Sequence, residues 1–139
     1  MRIEAYLRVV SDEATVRALH EETDVPGARI EKLKAPREGT ANDYWWNWQT
    51  MRVRLDEDDV DRGVKALLEQ YRSFSPAIKK HRGAEADIYL EVVTYCEEDE
   101  RPRGLYLSAE SISLLNELGA ALDNDVVPEV LAKRAGDRG

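Results

Sequence analysis

The 139-residue sequence has little of several features that would point to a particular class of protein. Its single cysteine, Cys96, excludes an internal disulfide and fits a reducing cytosol. No apolar run approaches the roughly 18 residues that a membrane helix requires. The charged residues 1–8 open directly into a strand pattern, so we expect neither a signal peptide nor a transit peptide, and a cytoplasmic location.

Positive charge is also scarce. The 20 Lys and Arg residues are outnumbered by 28 Asp and Glu residues, which gives a formal net charge of -8. Nucleic acids and anionic membranes attract basic surfaces, so the composition argues against both as partners. A basic protein partner would suit this charge better, although moderate negative charge can also serve solubility alone. Gly-rich phosphate loops and paired metal-ligand spacings are missing too, so we expect no cofactor.

Residues 44–55 hold all three tryptophans and are the stretch around which we organise the chain. Their alternation predicts one long β-strand inside a sheet. One side of this strand carries Met51, Val53 and Leu55, and the other carries Trp46, Trp48, Arg52 and Arg54. If the first set packs against helices, the second faces the opposite side of the sheet. A bulge near Asn47 would instead send Trp46 or Trp48 into the core.

The remaining chain alternates between strand and helix patterns. Strands are predicted at 2–10, 28–35, 85–96, 104–107 and 121–127, and helices at 11–22, 60–75 and 108–118, the second with an added turn at 78–81. A polar loop is predicted at 36–43. The order predicts an α+β fold: a mostly antiparallel sheet of five to six strands with three helices on one face. The first six elements match a ferredoxin-like split βαβ arrangement, followed by an extra βαβ unit. We expect a single domain over 3–131 and a disordered tail at 132–139.

The last third carries a recognisable series of short motifs. They are Gly104-Leu105-Tyr106-Leu107-Ser108, a helix ending in Leu118-Gly119-Ala120, and Asp123-Asn124-Asp125. This series resembles the bacterial family called domain of unknown function 4279, whose members show the same three motifs. The tryptophan strand and the strand ending near Cys96 fall in the expected order, so the resemblance spans nearly the whole domain. Where the family often has an aromatic residue after Asp-x-Asp, this chain has Val126-Val127-Pro128. The resemblance implies no established activity, and some relatives look like proteins from toxin and immunity gene neighbourhoods.

The sheet side away from the helices is the candidate binding surface. It is predicted to display Arg2, Glu4, Tyr6, Arg8, Trp46, Trp48, Arg52, Arg54, Tyr89, Glu91, Val93 and Tyr95. Aromatic residues beside arginines are typical of a protein-binding patch or a ligand platform. The alternative is a second layer, formed by the loop at 36–43 or by another copy of the chain, that simply covers this side.

Few residues suggest catalysis. Cys96 falls on the apolar side of its strand, and the neighbouring Glu97 and Glu98 would raise the pKa of its thiol, so we interpret it as a buried structural residue. His20 and His81 have no spacing typical of a triad or a zinc site. Asp123 and Asp125 are the weak candidates for a metal site or an acid and base pair, because residues two apart on a strand share a side. The alternative is that they pair with Arg52 and Arg54 across strands.

Three hypotheses follow. The first is a non-enzymatic interaction protein whose aromatic and arginine-rich sheet face binds a protein partner or a second copy of itself. The second is a small-ligand binder or enzyme that uses Asp123, Asp125 or Glu91 as acid or base. The third is an immunity protein that neutralises a basic toxin.

Overall fold

The computed structural model describes residues 1–33, 46–82, 86–102 and 104–130. The strands are β1 (Arg2–Ser11), β2 (Arg29–Lys32), β3 (Trp46–Gln49), β4 (Val53–Leu55), β5 (Asp87–Cys96) and β6 (Ala121–Pro128). The helices are α1 (Glu13–Thr23), α2 (Val60–Tyr71), α3 (Ser75–Arg82) and α4 (Ala109–Leu118). The predicted loop at 36–43, Tyr44, Trp45 and the predicted tail at 132–139 lie outside the described residues.

The strands form one mixed sheet of six strands in the order β2, β3, β1, β5, β6, and β4 also pairs with β1. The pairings are antiparallel except that of β5 with β6, which is parallel. This arrangement confirms the predicted α+β fold with a mostly antiparallel sheet. The ferredoxin-like description of the first six elements stays a prediction.

Local signals in the sequence explain where the helices begin and end. Asp12, Asp59 and Ser108 precede α1, α2 and α4, and the side chain of each accepts a hydrogen bond from a backbone N–H in the first turn. Gly119 ends α4 in the left-handed conformation, with φ 70°. The second predicted helix is interrupted by a 3-10 turn (Arg72–Phe74), after which Pro76 lies in the first turn of α3, where its missing N–H costs little.

The core lies between the helices and one side of the sheet. Alternate residues of the two central strands supply the sheet side of this core: Ile3, Ala5, Leu7, Val9, Ile88, Leu90 and Val92. The helices contribute Val16, Leu19, Val64, Leu67, Leu68, Leu115 and Leu118. Cys96 is buried as a free thiol, as predicted from its place on the apolar side of the strand.

The tryptophan stretch is two short strands rather than one long strand, because residues 50–52 interrupt it. Four chain steps separate Gln49 from Val53, whereas their partners on β1 are only three steps apart. One extra residue opposite a continuous strand is a β-bulge. Thr50 holds the bulge in place: its N–H donates to the carbonyl of Leu7 and its hydroxyl accepts from the N–H of Leu7, both at 3.0 Å.

The bulge reverses the side on which the preceding residues lie. Trp48 lies opposite Val9 and Trp46 opposite Ser11, which places both indoles on the helix side of the sheet. Trp48 is fully buried in the core and Trp46 is partly buried against it. The prediction that both tryptophans face away from the helices is therefore wrong. The bulge alternative describes the structure better, although the bulge follows β3 instead of lying near Asn47.

The predicted strand at 104–107 is also wrong. These residues form no strand, and β6 occupies the position beside β5. Leu105 and Leu107 are partly buried against the core, which explains why their alternation resembles that of a strand. The last βαβ unit is therefore β5, α4 and β6, with parallel strands as a crossover through a helix requires.

Candidate functional site

The side of the sheet away from the helices is built by alternate residues of β1, β4 and β5. Across β1 and β5 the facing pairs are Arg2 with Tyr95, Glu4 with Val93, Tyr6 with Glu91, and Arg8 with Tyr89. On the other flank of β1, Arg54 lies opposite Glu4. Antiparallel register thus places arginines and tyrosines side by side, as the alternation in β1 and β5 predicted.

Guanidinium groups stack on tyrosine rings across this surface. The guanidinium carbon lies 4.2 Å from the ring centre for Arg2 on Tyr95 and 4.7 Å for Arg52 on Tyr6. A third, looser pair, Arg8 on Tyr89, is separated by 5.9 Å. We call Arg2, Tyr6, Arg8, Arg52, Tyr89 and Tyr95 the Arg–Tyr face. Cation–π contacts of this kind hold long side chains in defined positions while their outer atoms stay exposed.

Arg52 connects Tyr6 and Tyr95 within the Arg–Tyr face. Its Nη1 atom donates to the hydroxyl of Tyr95 at 2.9 Å and lies 3.6 Å from the carboxylate of Glu4. Tyr6 lies beneath Arg52 and is only 6% exposed. Burial raises the pKa of the Tyr6 phenol, in opposition to the effect of the nearby guanidinium, so this phenol stays protonated at neutral pH.

Only part of this sheet side is accessible. Val10, Asn47 and Gln49 lie on the same side but are buried. The side chains of Arg2, Arg8 and Arg52, in contrast, are 40%, 30% and 39% exposed. The accessible part of this side is therefore formed by the four arginines Arg2, Arg8, Arg52 and Arg54 with the part-exposed Tyr89 and Tyr95. Tyr6, Glu91 and Val93, which were also predicted to be displayed, are buried.

Three carboxylates converge beside the Arg–Tyr face. The parallel pairing of β5 and β6 places Asp123 beside Glu91, and Asp125 two residues further on the same side. Glu91, Asp123 and Asp125 each have a carboxylate oxygen within 4.8 Å of the others, so together they could hold a divalent cation. The predicted alternative was pairing of the aspartates with Arg52 and Arg54. Arg52 instead contacts Glu4 and Tyr95, and β4, which carries Arg54, is separated from β6 by the two central strands.

Glu91 is the buried member of this group, with a side chain only 3% exposed. Burial raises the pKa of its carboxyl to about 7, and the hydrogen bond and negative charge of Asp123 act in the same direction. Arg8 opposes this shift only weakly, with its Nη1 3.4 Å from the carboxylate. A carboxyl that titrates near neutral pH can donate or accept a proton under physiological conditions.

A family model described as Domain of unknown function (DUF4279) matches residues 1–128. The chain belongs to the DUF4279 family. This confirms the resemblance based on the motifs of the last third. In the DUF4279 match, the covered range includes all of the Arg–Tyr face and the three carboxylates. No curated protein and no solved structure matches the chain.

In this DUF4279 member, the cysteine and histidine considered as catalytic residues lie apart from the Arg–Tyr face and the three carboxylates. Cys96 is buried, and His81 pairs with Glu22 at the surface between α1 and α3. Within residues 1–33, 46–82, 86–102 and 104–130, no helix is long and apolar enough to cross a membrane.

Sequence reasoning missed a cavity of about 460 Å³ on the helix side of the sheet. Its lining comes from β1, β5, β6, the first turn of α2 and the segment between β5 and α4. No local spacing reveals a cavity assembled from such distant segments. The available signal was the concentration of acidic residues at 56–61, at the start of the helix predicted at 60–75.

Proposed function

We propose that this protein is a non-enzymatic interaction protein whose Arg–Tyr face binds a protein partner or a second copy of the chain, in the cytoplasm. The observation that carries the proposal is the arrangement of three part-exposed arginines, two of which stack closely on tyrosine rings. Arginine and tyrosine are enriched at the energetic centres of protein interfaces.

The contacts within the face support binding at low entropic cost. Arg52 is fixed by Tyr6, Tyr95 and Glu4 before any partner arrives, so a partner would not need to order this side chain. Because Trp46 and Trp48 lie on the helix side of the sheet, the aromatic residues of this surface are tyrosines. Tyrosine offers both a ring for stacking and a hydroxyl for hydrogen bonding. It therefore suits a surface that is hydrated in the free protein and contacts a partner in the complex.

The test compares proteins retained from a lysate of the native host by three immobilised forms of the chain. The double variant Arg2→Ala with Arg52→Ala removes two stacked guanidinium groups from the Arg–Tyr face. The matched control, Arg17→Ala with Arg72→Ala, removes the same charge from the helix side of the molecule. Arg17 is a suitable match because its guanidinium carbon also stacks on an aromatic ring, 5.1 Å from the centre of the Trp46 ring.

We expect the wild-type chain and the control to retain the same protein, and the face variant to retain at least about tenfold less of it. Circular dichroism melts of the three forms establish that all are folded. If the face variant is folded and retains the same proteins in the same amounts as the control, the proposal is wrong.

One observation also favours a second candidate function, that of a small-ligand binder or enzyme. The convergence of Glu91, Asp123 and Asp125 is what an acid and base pair or a divalent cation would require. Calorimetric titration with Ca²⁺, Mg²⁺ and Mn²⁺ tests whether these carboxylates bind a cation. If they do, Asp123→Asn should abolish binding, whereas the control Asp24→Asn, at the end of α1, should not. If none of the three cations binds the wild-type chain, the hypothesis that these carboxylates form a cation site is wrong.

The immunity hypothesis is a special case of partner binding, in which the partner is a basic toxin. No contact among the described residues favours it over other partners. Identification of the retained protein in the lysate experiment decides it, since a toxin would support the immunity role and any other protein would not.

A further inference from the structure

The cavity of about 460 Å³ lies on the side of the sheet opposite to the Arg–Tyr face. It is bounded by the first turn of α2, by the segments on either side of residue 103, and by the helix-side residues of β1, β5 and β6. Cavities that bind small molecules commonly have volumes of about 300–1,000 Å³. This cavity is therefore large enough to enclose a small organic molecule.

The floor of the cavity is mainly apolar, with Thr94 and Asn124 as its polar members. Ile3 and Val92 contribute from the two central strands, Val126 from the edge strand β6, and Leu105 from the segment before α4. Such a floor favours an alkyl or aromatic group over a bare inorganic ion, because burial of apolar ligand surface is stabilising in water.

The rim of the cavity is acidic. Five carboxylates line it, from Glu57, Asp58, Asp59, Asp61 and Glu100. The described lining residues carry only two cations, the guanidinium of Arg101 and the N-terminal ammonium of Met1. This imbalance raises the local concentration of cations and repels anions. The ligand charge that fits the cavity is therefore positive.

Neutral donors fix two of these carboxylates without removing their charge. Asp59 accepts from the N–H of Arg62, and Asp61 accepts from the N–H of Ser108 at 2.8 Å and from the hydroxyl of Ser111 at 2.8 Å. The backbone hydrogen bond from Ser108 lowers the pKa of Asp61, so this carboxyl is ionised at neutral pH. Asp59 and Asp61 are thus held in place as anions rather than neutralised, whereas Glu100 pairs with the N-terminal ammonium of Met1 at 2.8 Å.

An aromatic ring completes the site. Tyr106 lines the cavity and is 73% exposed, which is unusual for a large aromatic side chain. An aromatic ring that lines the same cavity as carboxylates is the combination that recognises organic ammonium ions, through cation–π and ionic attraction together.

We propose that this cavity binds a small organic ammonium ion, with its charged group at the acidic rim beside Tyr106 and its apolar part on Ile3, Val92 and Val126. This function is independent of the Arg–Tyr face, which lies across the sheet.

The test uses three probes that share one alkyl chain and differ in charge: hexylammonium, hexanol and hexanoate. Binding is measured by two-dimensional NMR titration of the full chain. We expect saturable binding of hexylammonium that is at least about tenfold tighter than that of hexanol, weakens as salt is added, and is absent for hexanoate.

Two matched variants locate the binding. Val126→Trp places a large side chain at the cavity, whereas Leu122→Trp places the same side chain on the same side of β6 outside the lining residues. Both positions are partly exposed, at 49% and 41%, so both variants should fold. We expect Val126→Trp to weaken hexylammonium binding at least about tenfold and Leu122→Trp to leave it unchanged.

Three outcomes would overturn the proposal. The first is the absence of saturable hexylammonium binding up to about 10 mM, a concentration at which a complementary ligand of this size binds measurably. The second is equal affinity for hexylammonium and hexanoate. The third is equal binding by the two tryptophan variants.

Discussion

Replacement of Glu91 by glutamine should change how stability depends on pH. The pKa of the folded carboxyl is about 7, against an ordinary value of 4.5, because the group is buried and lies beside Asp123. Between these two pH values the folded chain binds more protons than the unfolded chain, so its free energy of unfolding falls as pH rises. The difference of the two pKa values corresponds to roughly 3 kcal/mol lost between about pH 4.5 and pH 7.

Glu91→Gln keeps the shape of the side chain but cannot ionise, so it should avoid this loss. Urea unfolding at about pH 5, 6, 7 and 8, in the presence of EDTA to exclude bound cations, measures the free energy of unfolding of both proteins. We expect the stability of the variant relative to wild type to increase by up to about 3 kcal/mol across this range, with most of the change below pH 7.

The variant Glu13→Gln, on the exposed surface of α1, serves as the control for removal of any carboxylate. If the curves for wild type and Glu91→Gln run parallel from pH 5 to pH 8, Glu91 ionises as an ordinary glutamate. The account of a buried carboxyl shifted by Asp123 would then be refuted.

Three further predictions concern the core, the β-bulge and the end of α4. Trp48→Ala should lower the free energy of unfolding by about 3–5 kcal/mol, measured by urea unfolding, because the indole is fully buried in the core; a loss below about 1 kcal/mol would place the indole outside it. Thr50→Val should cost about 1–3 kcal/mol by leaving the buried N–H of Leu7 without its side-chain acceptor, and Thr50→Ser, which keeps the hydroxyl, should cost clearly less. Gly119→Ala should cost roughly 1 kcal/mol in thermal unfolding, because the residue has φ 70°, and no change would argue against that conformation.

Local signals in the sequence were sufficient to predict most elements. The alternation in β1 and β5 places each residue on its correct side, and Asp12, Ser108 and Gly119 mark helix ends that the structure confirms. These features depend on neighbours within a few residues, which is why periodicity and capping chemistry reveal them.

The side occupied by the tryptophans could not be predicted in the same way. Alternation alone assigns Trp48 and Val53 to opposite sides, but the extra residue near Thr50 brings them to the same side. A bulge depends on pairing with β1, more than forty positions away, and Thr50 is an ordinary strand residue by composition. The sequence allowed the bulge as an alternative without locating it.

The carboxylate group shows the same limit. Asp123 and Asp125 were identified as a pair from their spacing, but their approach to Glu91 depends on the parallel register of β5 with β6. Parallel strands are joined by a long crossover, so no turn between them fixes the register. The sequence therefore predicted the residue types of this group but not the neighbour that raises the pKa of Glu91.

The most direct test of the proposed function is the affinity of the retained partner, measured by calorimetry with purified proteins. We predict that Arg2→Ala with Arg52→Ala weakens this affinity at least about tenfold while Arg17→Ala with Arg72→Ala leaves it unchanged. Equal affinity of the two folded double variants would contradict the assignment of the Arg–Tyr face as the binding surface.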